Sequence, residues 1–441
     1  QEARRDPKSK YRDWYIWSDK RPANANEGMV FPGVQKSTWS YDKEARAWYF
    51  HRFYDFQPDL NTSNPHVQTE ILKIMGFWIQ LGVSGFRMDA VPFVISTKGG
   101  RVKKGVAQFD ILRSLRAFLQ WRVGDSIILG EANVSAETGL DYFGKDGGDR
   151  MHMMFNFHVN QNLFYALAAS DCRPLVRALK ATDYRPEAAQ WGLFLRNHDE
   201  LDLGRLSEEQ REQVFKAFGP EESMQLYGRG IRRRLAPMLN GDRRLIELAY
   251  SLLFTLPGTP VIRYGDEIGM GEDLKLPERN SARTPMQWSA EEHGGFTTAD
   301  KPLLPVISEG PYSYHHVNTA EQRRDPKSLL NWTERIVRMR KEIPEVGWGE
   351  FEVLPIRNPA VLAIRYDWRN NSVVFLHNLS DSPREVAFST GVRGSEGRVL
   401  VNLLSDNHSR ASKDGKHRLL LEAYGYRWYR VGGLDYLLKR S

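Results

Sequence analysis

From about residue 65 to residue 265 the chain repeats one pattern: a short apolar run that leads directly into polar or ionisable residues, then a longer amphipathic stretch. That is the rhythm of strand, helix, strand, and it restricts the fold to a parallel α/β architecture. The strand candidates are Val83–Arg87, Ser126–Gly130, Met151–Phe155, Gly192–Leu195 and Thr259–Arg263. They lead into Asp89, Glu131, Asn156, Asn197-His198-Asp199 and Asp266-Glu267 respectively. In a (β/α)8 barrel the active site is built at the C-terminal ends of the strands, which is where this pattern puts its ionisable groups. A doubly wound open sheet would read similarly, but the chain carries no GxGxxG or Walker sequence. Between the strands, Pro65 opens the segment HVQTEILKIMGFWIQL, and Gln108–Trp121 puts Phe109, Leu112, Leu115, Phe118 and Leu119 on one face. Both read as helices with core-facing stripes.

The ends of the chain read differently. After a last helix at Ser328–Lys341, alternating runs such as AVLAIRYDW, SVVFLHNL, EVAFST and RWYRVGG predict antiparallel strands, a β-sandwich over 346–441 following a barrel portion over 61–345. Residues 1–60 form an excursion rich in Trp14, Trp17, Trp39, Trp48, Tyr49, Phe50 and Tyr54, separated by turn residues. Those rings suit stacking on sugars, and equally a small aromatic core, because large rings dominate small cores.

Composition removes several classes. At 441 residues, with 41% hydrophobic and 27% charged content, the chain has the make-up of a soluble globular enzyme of more than one domain. Its longest apolar stretch, Leu248–Ile262, is broken by Pro257, Gly258 and Pro260 and falls short of the roughly 20 residues a membrane helix needs. The single cysteine, Cys172, cannot form an intramolecular disulfide, which fits a reducing compartment and makes the cytoplasm the default location. The net charge of +7 reads as a solubility device. Its densest runs, Ile231–Leu235 and Arg243-Arg244, come with no zinc finger, basic zipper or RNA-recognition signature, so no nucleic-acid partner is expected.

The residues that carry chemistry are Arg87-x-Asp89, Glu131 and Asn197-His198-Asp199, each at a predicted strand end. Glycoside chemistry requires such a set: one carboxylate attacks the anomeric carbon and a second carboxyl group protonates the leaving oxygen, the two lying about 5 Å apart in retaining enzymes. Any one of these acids alone reads as a helix cap or a surface carboxylate, Arg87 as a structural ion pair, and His198 as a buried histidine with a backbone partner. Their order on successive strands is what makes the set specific.

The segments GFRMDAV (Gly85 to Val91), LGEANV (Leu129 to Val134) and FLRNHDEL (Phe194 to Leu201) resemble three signature regions of the α-amylase superfamily, glycoside hydrolase family 13. QPDLN (Gln57 to Asn61) resembles an additional region, and GTPVIRYGDE (Gly258 to Glu267) the last-strand segment. Within the superfamily, MHMMFNFHVNQ, GIRRRLAPML, GDEIGMGEDLKLPERNSARTPMQW and the closing GYRWYRVGGLDY look most like the trehalose synthases, which isomerise maltose to trehalose. ARTPMQW is shared with oligo-glucosidases.

The resemblance implies a TIM barrel with an inserted domain B and a C-terminal sandwich. It makes Asp89 the nucleophile, Glu131 the general acid/base and Asp199 the transition-state stabiliser, with Arg87, His198 and Asn197 binding substrate and Arg87 holding the nucleophile ionised. Maltose, trehalose and short α-glucosides are the implied substrates, turned over without an organic cofactor. The excursion and residues 270–300 are candidate lids that keep water from the released glucose. A structural calcium is implied between excursion and barrel, with Asp59 at a ligand position. Ser96 stands where trehalose synthases tend to have Glu. A hydrolytic α-glucosidase or amylase is the nearest alternative, and a non-catalytic carbohydrate-binding fragment the alternative from another class. The family's third-strand region, Asp-x-x-x-Asn-His, has no counterpart but Asp406-Asn407-His408, at the wrong spacing and in the sandwich. The chain is therefore expected to start part-way through the barrel, three strands short, with exposed strand edges and poor solubility.

Overall fold

The computed structural model describes residues 1–96, 98, 109–144 and 148–432. Gln108, at the start of a predicted helix, and the last four residues of GYRWYRVGGLDY lie outside them. The chain divides into two units, Gln1–Phe155 with Arg185–Gln190, and Asn156–Tyr184 with Trp191–Ser441.

In the first unit, β1 (Trp17–Ser18), β2 (Trp39–Asp42) and β3 (Ala47–Phe50) form an antiparallel sheet in the order β1-β3-β2. Trp39 lies opposite Phe50 and Tyr41 opposite Trp48, so the large rings meet across the strands. Ala25, Trp39 and Phe50 are buried, with Ile16 and Trp48 packed on them. These aromatics make a small core. α1 (Pro65–Gln80) starts where the Asn64 side chain accepts the His66 N–H, with proline in the first turn. Only Val67 and Met75 of α1 are buried. Ile74, Phe77, Trp78 and the following Leu81 stay exposed, contrary to the expected core-facing stripe. The apolar sector of the helix is wide, running from Met75 round through Val67 to Ile74, Phe77, Trp78 and Leu81, and a single packing layer covers only part of it.

The parallel strands of this unit are β4 (Gly85–Met88), β5 (Ile127–Gly130) and β6 (Met153–Phe155), in that spatial order. β4 and β5 approach closely because Gly85 has no side chain: a Cβ there would lie 2.7 Å from the Ile127 carbonyl oxygen. α2 (Phe109–Gln120) buries Ile111, Leu112, Leu115 and Leu119. Phe118 is only half-buried, and the Arg122 guanidinium lies 3.6 Å from its ring centre. α3 (Ala136–Phe143) is capped by the Ser135 hydroxyl and follows β5.

The second unit begins with α4 (Phe157–Ala169) and α5 (Arg173–Ala181). β7 (Gln190–Phe194), which enters this unit at Trp191, runs parallel to β8 (Thr259–Val261), with Gly192, Leu193 and Phe194 opposite Thr259, Pro260 and Val261. α6 (Glu208–Phe218) opens with a capping box between Ser207 and Gln210. α7 (Arg243–Thr255) is buried from Leu248 to its end, and α8 (Leu329–Lys341) packs against it.

The C-terminal strands are β9 (Glu350–Val353), β10 (Val361–Trp368), β11 (Asn371–Asn378), β12 (Arg384–Phe388), β13 (Val399–Asn402), β14 (Ser409–Arg410), β15 (His417–Leu421) and β16 (Tyr426–Val431). Six form one sheet in the order β9-β10-β11-β16-β13-β14, and β12 pairs with β15. Leu362, Ile364, Val373 and Phe375 face the helical core with Leu252 and Leu253, while Val361, Ala363, Val374 and Leu376 face a second core with Val386, Phe388 and Leu421. A strand buried on both faces reads as a continuous apolar run, which is why AVLAIRYDW and SVVFLHNL are so uniformly hydrophobic. Among the described residues no helix is long and apolar enough to cross a membrane.

Candidate active site

Asp89 and Glu131 are the first residues beyond two neighbouring parallel strands, β4 and β5. The main chain fixes their spacing. The Glu131 N–H donates to the Met88 carbonyl (2.9 Å), and the Glu131 carbonyl accepts from the Val91 N–H (3.0 Å), so Glu131 is tied on both sides of Asp89. Ala90, between them, turns through the left-handed region at φ 47° and opens the short helix Val91–Val94. A β-carbon there carries a steric cost of about 1 kcal/mol, the kind of strain that collects where a side chain must be aimed.

Arg87 reaches both acids. Its Nη1 is 2.9 Å from Asp89 Oδ1, and its Nη2 pairs with Glu131 Oε2. One guanidinium between two carboxylates offsets their mutual repulsion and favours the ionised form of each. That suits a nucleophile. It suits Glu131 as a base, and proton donation by Glu131 requires the guanidinium to let go. The Asp89 side chain is 67% exposed and that of Glu131 17%, so Asp89 is the acid open to an arriving ligand.

Asp59 belongs to the same unit. Its Oδ1 accepts the Arg52 N–H at 2.8 Å and its Oδ2 lies 2.8 Å from Lys98 Nζ, both side chains of that ion pair being 8% exposed. Calcium takes six to eight oxygen ligands. Here both carboxylate oxygens are committed to nitrogen donors, and no cluster of three or more His, Cys, Asp or Glu side chains gathers among the described residues. This donor set does not fit calcium.

The second unit holds Asn197, His198 and Asp199. Their three carbonyl oxygens accept from three different arginines: Asn197 from Arg263 Nη1 (2.7 Å), His198 from Arg283 Nε (2.8 Å) and Asp199 from Arg196 Nη2 (2.8 Å). Asn197 Oδ1 accepts the Asp199 N–H at 3.0 Å, an Asx turn that sets the bend. The Asp199 carboxylate receives Arg283 Nη2 at 2.6 Å and Arg279 Nη1 at 3.3 Å, with His198 Nε2 at 3.6 Å. Arg279 is shared with Glu200, whose two oxygens it meets at 2.7 and 3.1 Å. Burial and the charge of Arg263 pull the Arg196 guanidinium down to about 10, so it still carries its charge at neutral pH.

Arg283 also lines a cleft of about 700 Å³ with Tyr264, Glu267, Trp288, Phe296 and Leu303. Burial raises the Glu267 carboxyl above its ordinary value. The walls come largely from residues 285–304, overlapping the segment expected to act as a lid.

Arg87, Asp89 and Glu131 are thus brought together in the first unit, and Asn197, His198 and Asp199 are held as one turn in the second. Arg196, Arg263, Arg279 and Arg283, which hold the Asn197–Asp199 turn, are not predicted from the sequence pattern. Each lies in a segment quoted for its family resemblance, FLRNHDEL, GTPVIRYGDE or PERNSARTPMQW, and the density of arginine among apolar residues was the available signal.

The profile described as "Alpha amylase, catalytic domain" matches residues 1–219 and 230–349. The chain belongs to the α-amylase family. A second profile, "Sucrose hydrolase-like, C-terminal domain", matches residues 371–430. The trehalose synthase of Thermus thermophilus is 40% identical over 99% of this chain and 45% of its own length. That of Pimelobacter sp. (strain R48) is 37% identical over 99% of this chain and 78% of its own. The chain therefore spans less than half of the first relative. Among solved structures, an α-amylase from H. orenii superposes with a TM-score of 0.73 at 22% identity, covering 98% of this chain and 76% of that one. A trehalulose synthase gives 0.72 at 21% identity, covering 98% and 80%. The fold class is that of the family's catalytic domain, parallel strands with helices consistent with a TIM barrel, followed by an antiparallel C-terminal domain.

Proposed function

We propose that the chain is the glucosyl-transferring part of a retaining maltose–trehalose isomerase. The observation that carries this reading is the bridge of Arg87 between Asp89 and Glu131 at adjacent strand ends, since a nucleophile and an acid/base on the same bond are what double displacement needs. Identity of 40% across 99% of the chain with a protein named trehalose synthase supports the choice of substrate.

In this mechanism Asp89 attacks the anomeric carbon of the non-reducing glucose of maltose while Glu131 gives its proton to the departing O4. A β-glucosyl ester forms on Asp89 and free glucose is released in the site. Glu131, now a base, takes the proton of that glucose's anomeric hydroxyl, which attacks the ester, so an α-1,4 bond becomes an α,α-1,1 bond. Asp199, held by Arg279 and Arg283, is assigned to the positive charge that develops on the sugar ring. His198 and Asn197 are assigned to sugar hydroxyls. Each step uses side chains of this chain and needs no organic cofactor. Nor does the reading call for nucleic acid: Arg233 and Arg234 of the basic run turn inward to Glu272 and Asp266. A cytoplasmic setting agrees with a single thiol, buried at Cys172.

The test is proton NMR of maltose incubated with the protein, following the anomeric signals. Trehalose is the expected product, and its loss in Asp89→Asn the expected control. Glucose alone would move the assignment to a hydrolase, and binding of maltose without any product would make this a carbohydrate-binding chain.

A further inference from the structure

We propose that Lys98 supplies, as an ammonium, the positive charge that fastens the aromatic excursion to the segment following Asp89, so that the Asp59 position works without a divalent cation. Asp59 is built into the excursion: its N–H donates to the Phe50 carbonyl at 3.1 Å, and its Oδ1 caps the Arg52 N–H. Lys98 arrives from the other direction, four residues beyond the helix Val91–Val94 that Asp89-Ala90 opens. Their ion pair at 2.8 Å therefore ties two stretches 39 residues apart in sequence. A neutral hydrogen bond runs beside it, from the Thr62 hydroxyl to the Val94 carbonyl at 2.6 Å.

The surroundings favour a nitrogen cation over a metal. The Arg52 guanidinium adds a second positive charge that interacts electrostatically with the same carboxylate, while its Nη1 donates to the Gly28 carbonyl at 2.8 Å. A divalent ion at Asp59 would sit against the Lys98 ammonium and beside this guanidinium. It would also need a shell of six to eight oxygen ligands, while both oxygens of Asp59 are already taken by nitrogen donors. An ammonium needs no such shell, only a few acceptors. Because both partners are almost fully covered, removing one leaves the other as an uncompensated charge.

The experiment is thermal unfolding of the whole chain, followed by circular dichroism, in EDTA and in increasing calcium. The midpoint is expected to stay within about 1 °C across both series, because a ligand that does not bind the folded state cannot raise its stability. Lys98→Ala is expected to lower the midpoint by roughly 5 °C or more, and Lys98→Arg, which keeps the charge, by much less. A midpoint that climbs with calcium in the unaltered protein, or calcium retained in stoichiometric amount after desalting, would overturn the proposal. So would an unchanged midpoint in Lys98→Ala. Should Lys98→Ala not fold, the calcium series and the metal content of the unaltered protein decide alone. None of these readouts depends on turnover, so they are independent of the isomerase assignment.

Discussion

Arg283 carries two jobs on one side chain, donating through Nε to the His198 carbonyl and through Nη2 to the Asp199 carboxylate. A guanidinium can do both because its donors lie in one rigid plane, whereas a lysine offers one nitrogen on a flexible stem. Arg283→Lys should therefore keep the charge and lose the orientation. A charge-assisted hydrogen bond is worth about 1.5–3 kcal/mol, so kcat/KM for maltose should fall by roughly ten- to a hundred-fold. The same loss should lower the melting temperature by a few degrees at most, so the kinetics are compared where both proteins are fully folded. Unchanged steady-state kinetics in Arg283→Lys would show that Asp199 does not depend on this clamp. Asp89, Glu131 and Asp199 were legible in the sequence because each follows an apolar strand, a local pattern. Their arginine partners were not: Arg283 meets Asp199 from 84 residues away, and pairing over such a span is fixed by tertiary packing. From sequence Arg87 pairs with Asp89 alone, because a strand shows its own alternation and not the neighbouring strand end that carries Glu131.

Elements were more legible than side-chain roles where one face or both faces of a segment are uniformly buried. β10 and β11 announced themselves by apolar runs, and α8 by its period, with the Ser328 hydroxyl capping the Asn331 N–H at its start. What the runs did not disclose is the polar group among them. His377, the next-to-last residue of β11, is fully buried, its Nε2 lying 2.9 Å from the Ser251 hydroxyl and 3.3 Å from that of Thr255 on α7. Trp428 of β16 donates to the same Ser251 hydroxyl at 2.8 Å. Helix and sheet are thus joined through a neutral imidazole, and burial pushes its pKa down to about 3 from an ordinary 6.5. The unfolded chain takes up a proton near 6.5 while the folded chain resists until about 3. This group's contribution to stability is therefore complete above 6.5 and is lost as the pH falls through that window. The slope is about 1.4 kcal/mol per pH unit, which amounts to about 2 kcal/mol between pH 7 and pH 5. His377→Gln should flatten the pH dependence of the unfolding free energy, read from urea titrations, by that amount relative to the unaltered protein. His152, also held low by burial, is present in both proteins and cancels from the comparison. Parallel curves for the two proteins would mean that the imidazole is not kept neutral.

At the scale of the whole molecule, the basic excess read from 62 Lys and Arg against 55 Asp and Glu is not only a surface coat, because Arg196, Arg234 and Arg430 are buried and take part in joining segments. Arg430 of β16 pairs with the buried Glu345, and Arg234 with the buried Asp266. The one thiol reports on such joining. Cys172 precedes α5, its N–H donates to the Pro359 carbonyl at 2.7 Å, and its Sγ lies 3.5 Å from the Val361 carbonyl at the start of β10. The helical layer and the C-terminal sheet of the second unit therefore close over it together. Burial pushes the thiol up to about 11, so little thiolate exists at pH 8 even before access is considered. Labelling with an aromatic disulfide reagent in native buffer should then be at least about a hundred-fold slower than in denaturant, since the reactive state is the opened one. Its denaturant dependence should track the loss of far-ultraviolet circular dichroism if helix layer and sheet part only when the unit unfolds. Fast labelling without loss of secondary structure would show instead that α5 lifts from β10 as a separate event, and that the continuous core from α4 through α7 to β16 is not a single cooperative block.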